Sequence, residues 1–255
     1  MTNPFRYPYA AFAVSFLMLW LSAGIGTFFR KRQPDPQEGL LKDLDVISSA
    51  TLSLLGLIIG FTFSMAISRY DQRKTYEEIE ANAIGTEYAR ADLLPEANAV
   101  KVRALLREYL DQRILFYSSR NEDELPQIET ATAQLETELW AEVEAPLAAQ
   151  PTPALSLAAS GMNEVLDAQG STQAAWRNRV PIAAWRLMLA IAVCCNLLVS
   201  YSRHDPKAGI IRFLILPLVL SFAFFAISDI DSPRRGTIRV YPENLTSIVQ
   251  SMHGH

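Results

Sequence analysis

The chain has 255 residues, of which 50% are apolar and 20% are charged, and its mean hydropathy is +0.10. This hydropathy is high for a soluble protein, so we expect a membrane protein that carries a polar part. The formal net charge of -4 indicates no basic surface for nucleic acid, which is therefore excluded as an expected partner. The two cysteines are adjacent in an apolar segment, and they indicate neither a disulfide framework nor a redox compartment.

Four apolar segments are long enough to cross a lipid bilayer as helices, since about 20 residues span a hydrocarbon core of about 30 Å. They lie at residues 9–29, 46–67, 180–201 and 208–228. The first segment ends in basic residues and has no small-residue cleavage pattern, so we interpret it as a retained span rather than a signal peptide. Four spans place both termini and the long segment between the second and third spans on one side of the membrane.

The segment at 68–179 is polar and is predicted to form helices outside the membrane. Apolar residues at helical spacing continue from the second span until Pro95, and amphipathic helical patterns follow. No alternating apolar run or Asn-Gly hairpin turn indicates a strand. We therefore predict an all-α membrane protein with four transmembrane helices and a helical insert between the second and third. Its predicted parts are a transmembrane hairpin at 1–67, the helical domain at 68–179, a second hairpin at 180–228 and a tail at 229–255.

The sequence offers little for enzyme chemistry. His204, His253 and His255 lie outside any cluster of His, Cys and carboxylates with metal-ligand spacing. No phosphate-binding glycine loop or nucleophile elbow is present, and the four spans contain no Asp, Glu or His for a proton relay. We predict no enzyme activity, no metal ion and no cofactor.

Small and hydroxyl side chains recur every three or four residues along the second span. They are Ser49, Ser53, Gly56, Gly60, Ser64 and Ser68. On this stripe alone, close packing against another helix is the simpler interpretation. The other is that this surface faces water in a pore, because Leu57 and Phe61 form an i, i+4 pair suited to a hydrophobic constriction. Both interpretations remain open at this point.

The segment LGLIIGFTFSMAISRYDQ at residues 55–72 resembles the pore helix of bestrophins. In that helix a Gly-Phe pair deep in the membrane is followed, eight residues after the Phe, by an Arg and then by aromatic and amide residues. The matching positions are Gly60, Phe61, Arg69, Tyr70 and Gln72. Together with DIDSPRRGTIRV after the fourth span, the chain resembles the bacterial bestrophin-like membrane family, whose members mostly lack an established function.

The resemblance implies a homopentameric ion channel whose pore is lined by the second span. The apolar neck positions of the family correspond to Ser53, Leu57 and Phe61, and Gly60 and Ser64 are further pore-lining candidates. Ser53 departs from the bulky apolar pattern and leaves two apolar rings. Small inorganic ions, the lipid bilayer and further copies of the chain are the implied partners.

The resemblance also bears on calcium and on location. The calcium clasp of animal bestrophins needs a dense acidic run after the fourth span, and Asp229 and Asp231 are too sparse to form one, so no structural calcium is expected. The family implies the bacterial inner membrane. Lys and Arg near the span ends favour slightly a cytoplasmic location for the helical domain and both termini.

Three cations follow the apolar part of the second span and are candidates for ion selectivity. Arg69, Arg73 and Lys74 precede an acidic cluster, which suggests a weak preference for anions. Alternatively, Arg69 pairs with lipid headgroups or with an acidic residue such as Asp229, and then only fixes packing.

A second function remains open, that of a non-conducting membrane scaffold or sensor whose helical domain binds a partner or ligand. In that case apolar residues of the domain would partly face solvent instead of one another. These residues are Ala81, Ile84, Tyr88, Leu106 and Tyr109.

Overall fold

The computed structural model describes residues 5, 7–32, 38–202 and 209–252. Within these residues it contains eight α-helices and no strand, which confirms the all-α fold class. The helices are α1 (Pro8–Arg32), α2 (Glu38–Arg90), α3 (Glu96–Ser118), α4 (Leu125–Ala149), α5 (Pro153–Arg177), α6 (Ile182–Ser202), α7 (Gly209–Asp231) and α8 (Glu243–Met252).

Among the described residues, four helices are long and apolar enough to cross a membrane, as the sequence predicts. The predicted spans correspond to α1, to the apolar part of α2, to α6 and to α7. The start of the fourth predicted span, parts of both short connections, and all three histidines lie outside the described residues. The chain is therefore a multi-pass membrane protein.

The helix α1 packs against both α6 and α7. At Gly26 a Cβ atom would lie only 2.5 Å from the backbone oxygen of Leu197, so the absence of a side chain lets the α1 and α6 backbones approach closely. The Ser22 hydroxyl donates a 2.7 Å hydrogen bond to the Val193 carbonyl across the same contact. Small and hydroxyl residues thus join these two spans.

The helix α2 continues for 53 residues from the apolar segment into the charged one without interruption. No proline lies between its two ends, so nothing in the backbone prevents continuous helical hydrogen bonding. After Arg90 the chain tightens into a 3-10 turn at Ala91–Leu93, and Leu94 is extended. Pro95 restricts the residue before it to such a conformation, which explains why the helix ends here.

The chain divides into two compact units. One comprises residues 1–69 and 179–239, and the other comprises residues 70–178 and 240–255. In the second unit α3, α4 and α5 pack in sequence around an apolar core that includes Ile84, Leu106 and Tyr109. The short helix α8 joins this core through Leu245 and Met252. The last part of the predicted tail therefore groups with the helical insert.

Candidate functional site

All five pore-lining candidates of α2 are exposed on the protomer. The side chains of Leu57 and Phe61 are 55% and 66% exposed, although they are large and apolar. Ser53, Gly60 and Ser64 are exposed as well. Exposed large apolar residues indicate a surface that another protein surface or lipid covers.

A different line of α2 is buried within the protomer. Ser48, Leu55, Thr62 and Ala66 have exposed fractions of 5% or less. Their spacing of seven and four residues places them on one face of the helix. The exposed positions of the apolar part of α2, which include Leu57 and Phe61, lie off this face, so they can line a conduit or meet another copy of the chain.

The small residues of α2 do not support close helix packing inside the protomer. A Cβ atom added at Gly56 or Gly60 would meet nothing within 4 Å. The Ser53 hydroxyl donates a 2.9 Å hydrogen bond to the Ser49 carbonyl one turn earlier, so its polarity is satisfied by its own helix. Close packing of Gly56 and Gly60 against a neighbouring span is therefore not found among the residues that the structure describes in one chain.

The three candidate selectivity cations have different surroundings. An Arg69 guanidinium nitrogen lies 3.8 Å from a carboxylate oxygen of Asp231, and its side chain is 15% exposed. Arg73 is buried, and it donates hydrogen bonds to the carbonyls of Ala175 at 3.2 Å and Asn178 at 3.0 Å, near the end of α5. Lys74 is exposed. Of these three cations, Lys74 is therefore the one with an exposed charge, whereas Arg69 lies near a carboxylate and Arg73 donates hydrogen bonds to carbonyl groups.

Two acidic residues in the last turn of α7, Asp229 and Asp231, hold backbone segments together. Asp229 accepts hydrogen bonds from the backbone N–H groups of Thr237 at 2.7 Å and Ile238 at 3.1 Å, whereas the carboxylate that lies near Arg69 is that of Asp231. Asp231 also accepts a 3.1 Å bond from the backbone N–H of Val180, just before α6. Within the described part of the chain, no three His, Cys, Asp or Glu side chains come together as metal ligands.

A buried ionic network that the sequence analysis missed joins α2, α3 and α5. The carboxylate of Glu80 pairs with the guanidinium of Arg113, and both side chains are inaccessible to solvent. The same carboxylate accepts hydrogen bonds from Thr172 at 2.9 Å and Tyr117 at 3.1 Å. Burial, and then the adjacent Glu80 charge, raises the pKa of Tyr117 and keeps its hydroxyl protonated as a donor.

Glu77 is a second buried carboxylate of α2, and it caps the first turn of α8. It accepts hydrogen bonds from the backbone N–H groups of Asn244 at 2.9 Å and Leu245 at 3.0 Å. A negative charge at a helix N-terminus is favourable because the free N–H groups point towards it. At the other end of α8, Arg107 donates a 3.3 Å hydrogen bond to the Met252 carbonyl.

Glu87 is a third buried carboxylate, and it has no such partner. Its side chain is inaccessible to solvent, and neither carboxylate oxygen has a hydrogen-bond partner among the described residues. Burial raises its pKa to about 8, against the opposing attraction of Arg90. A Cβ atom at Gly161 on α5 would lie 2.0 Å from one of its oxygens, so glycine leaves the space that this side chain fills.

A model of the Bestrophin-like domain matches residues 16–245 of this chain. The chain belongs to the bestrophin-like family. The match spans the apolar part of α2 with all the pore-lining candidates, and it continues into α8. The family resemblance predicted from residues 55–72 and from the segment after the fourth span is thereby confirmed.

Solved structures show the same bestrophin fold. A bacterial bestrophin homologue from Klebsiella pneumoniae aligns with a TM-score of 0.65 and 12% sequence identity, over 96% of this chain and 98% of that one. A single-residue variant of a Klebsiella pneumoniae homologue aligns with a TM-score of 0.64 and 14% identity, over 95% and 98% of the two chains. No curated protein sequence matches. At such low identity the likeness establishes the fold of this chain and not its activity.

Proposed function

We propose that this protein is a homopentameric ion channel in which α2 lines the pore. The observation that carries the proposal is the exposure of Ser53, Leu57, Gly60, Phe61 and Ser64 on a helix that continues unbroken from apolar to charged sequence. Five such helices can enclose one conduit with every backbone group paired inside a helix, as the membrane requires. Membership in the bestrophin-like family supports the same arrangement.

Leu57 and Phe61 form the constriction of the proposed pore. They lie one helical turn apart, and both are more than half exposed on the protomer. Rings of such side chains narrow a conduit and expel water from it, which blocks ions until the rings widen. Ser53 adds a polar ring one turn before Leu57, so the tight part of this neck is two rings long.

Current through the purified protein in a planar bilayer tests this constriction. We expect Phe61→Ala and Leu57→Ala each to increase the current at a given voltage, because a smaller side chain widens and wets the neck. Phe63→Ala is the matched control, since Phe63 is also an exposed apolar residue of α2 but lies on another side of the helix. Equal currents in all three variants would contradict the assignment of Leu57 and Phe61 to the pore. If the wild-type protein gave no current in several lipid mixtures, the proposal that it conducts ions would be contradicted.

We propose that the channel has a weak preference for anions and that Lys74 contributes most of it. Arg73 donates to backbone carbonyls in the protein interior, and the charge of Arg69 is offset by Asp231 at 3.8 Å. An exposed lysine repeated five times around a narrow passage would raise the local concentration of anions. The exposed carboxylates of Asp71 and Glu78 act in the opposite direction, which keeps the preference weak.

Reversal potentials in a salt gradient test the roles of these cations. Lys74→Glu is expected to shift the reversal potential towards cation preference, and Arg69→Glu to shift it less. A larger shift for Arg69→Glu than for Lys74→Glu, in assembled protein, would overturn this assignment. No shift in either variant would remove both residues from selectivity.

We further propose that the protein is not an enzyme, and that it lies in the bacterial inner membrane with residues 68–179 and both termini in the cytoplasm.

The scaffold or sensor alternative receives no support from the helical domain. Of the residues that this alternative would expose to solvent, Ala81, Ile84, Leu106 and Tyr109 are buried and Tyr88 is partly buried. The exposed residues in the apolar part of α2 are instead the surface to which we assign the function.

A further inference from the structure

A groove between α1 and α7 lies on the apolar surface of the first unit. Its volume is about 320 Å³. It is lined by Trp20, Leu21, Gly24, Ile25, Phe28 and Phe213. A Cβ atom at Gly24 would meet nothing within 4 Å, so the glycine forms an open part of the wall. Four of the lining side chains, those of Trp20, Leu21, Ile25 and Phe28, are between 40% and 57% exposed, and these would be in contact with lipid.

Three cations, Arg30, Lys31 and Arg32, follow the groove at the end of α1. The guanidinium of Arg32 lies 4.7 Å from the ring centre of Phe28, which itself lines the groove. One guanidinium nitrogen of Arg30 is shielded from solvent and has no hydrogen-bond partner among the described residues. Such a donor is costly to leave unpaired.

We propose that the groove and these cations together form a binding site for one anionic phospholipid. An acyl chain lies along the groove, and the phosphate accepts hydrogen bonds from the Arg30 and Arg32 guanidinium groups. Cations at a helix C-terminus also interact with the helix dipole. That interaction does not explain an adjoining apolar groove, whereas a phosphate ester with an acyl chain accounts for both the cations and the groove.

Charge complementarity determines which lipid binds. Each Lys or Arg near an anionic membrane surface strengthens the attraction to that surface by about fivefold, and we take the same factor for a single anionic headgroup. Phosphatidylglycerol carries a net negative charge at its phosphate, whereas the choline group of phosphatidylcholine cancels that charge. Removing two cations is therefore expected to lower the preference for phosphatidylglycerol roughly 25-fold.

Native mass spectrometry of the full-length protein in detergent, titrated with each lipid, tests the site. Wild-type protein is expected to retain phosphatidylglycerol in preference to phosphatidylcholine. The double variant Arg30→Gln with Arg32→Gln is expected to lose this preference and to keep the weak binding of both lipids. Gly24→Leu fills the groove and is expected to weaken the binding of both lipids. The two variants therefore separate the contribution of the acyl chain from that of the phosphate.

Two controls keep the test specific. Lys42→Gln removes an exposed cation of α2 that does not line the groove, and it is expected to leave the preference unchanged. Inorganic phosphate at the same concentration is expected not to displace the lipid. The proposal is overturned if the double variant binds as wild type does, if Lys42→Gln has the same effect as the double variant, or if phosphate alone competes. It is also overturned if Gly24→Leu changes the number of copies in the particle instead of the bound lipid, since another copy of the chain would then cover the groove.

Discussion

Replacing Glu87 by glutamine is expected to stabilise the protein at alkaline pH and to change its stability little in acid. Glu87 is fully buried, and its two carboxylate oxygens accept no hydrogen bond from the described residues. Ionisation therefore places a negative charge in a buried position where Arg90 attracts it and Glu164 repels it. Glutamine has nearly the same shape and carries no charge, so it reproduces the protonated form at every pH.

The size of the effect follows from the pKa. Burial raises the pKa of Glu87 from 4.5 to about 8. This shift corresponds to an upper limit of about 5 kcal/mol for the difference in the free energy of unfolding between the protein with Glu87 protonated and the protein with Glu87 ionised. The unfolded chain releases this proton near pH 4.5, whereas the folded protein keeps it until about pH 8. The contribution of the protonated carboxyl to stability is therefore full below pH 4.5, falls as the pH rises, and is lost once the pH exceeds about 8.

Thermal unfolding of the detergent-solubilised protein at pH 5 and pH 9 measures this difference. Since 1 kcal/mol shifts the Tm of a chain of this size by roughly 2–4 °C, Glu87→Gln is expected to raise the Tm by several degrees at pH 9. At pH 5 the shift is expected to be small. Glu78→Gln is the matched control, because Glu78 is an exposed carboxylate of the same helix. An equal shift at both pH values, or destabilisation at pH 9, would refute the reasoning.

Three further substitutions test contacts within each unit by their effect on the free energy of unfolding. Glu80→Ala leaves the buried Arg113 without its carboxylate and is expected to cost about 3–5 kcal/mol, measured by denaturant unfolding. Glu77→Ala removes the acceptor at the first turn of α8, and a loss of about 1–2 kcal/mol with faster proteolysis of the C-terminal segment is expected. Gly26→Ala forces a Cβ atom against the α6 backbone and is expected to cost about 1–3 kcal/mol, whereas Gly24→Ala, in open space, is expected to cost less. Equal losses for the two glycine variants would contradict the described packing of α1.

The helices themselves could be predicted because local sequence determines where they begin and end. Pro95 ends the pattern that continues from the second span, and Pro153 begins α5 after Thr152, whose hydroxyl accepts a 3.2 Å hydrogen bond from the Leu155 N–H. The continuity of α2 likewise follows from the absence of proline. These features act over a few residues, so one sequence is enough to reveal them.

The buried charges of α2 could not be predicted with the same ease. Charged residues are rarely buried, so the sequence predicts Arg73 as a selectivity candidate of the conduit and gives no reason to expect a buried Glu77. Their partners lie far away in the chain, as with Glu77 and Asn244, and local periodicity does not report such pairs. One signal was present, because Arg73, Glu77 and Glu80 share with Ile84 the helical spacing of a single buried face.

The sequence predicted the kind of partner that Arg69 has, but not which residue it is. The expectation of an acidic partner near the end of the fourth span named Asp229, and the structure has Asp231, two residues further along. Asp229 is instead occupied by the backbone N–H groups of Thr237 and Ile238. The choice between the two carboxylates depends on the turn that follows α7, and no sequence pattern specified that turn.

The mass of the assembled particle tests the central claim most directly. One chain has a mass of 28.5 kDa, so five copies give about 142 kDa after detergent is removed in the gas phase. We predict that native mass spectrometry gives this mass, and that Phe61→Ala leaves it unchanged because in the proposed pentamer this residue faces the conduit and not the contacts between copies. A monomer or dimer that persists in several mild detergents and in lipid nanodiscs would contradict the account, because one or two α2 helices cannot enclose a pore.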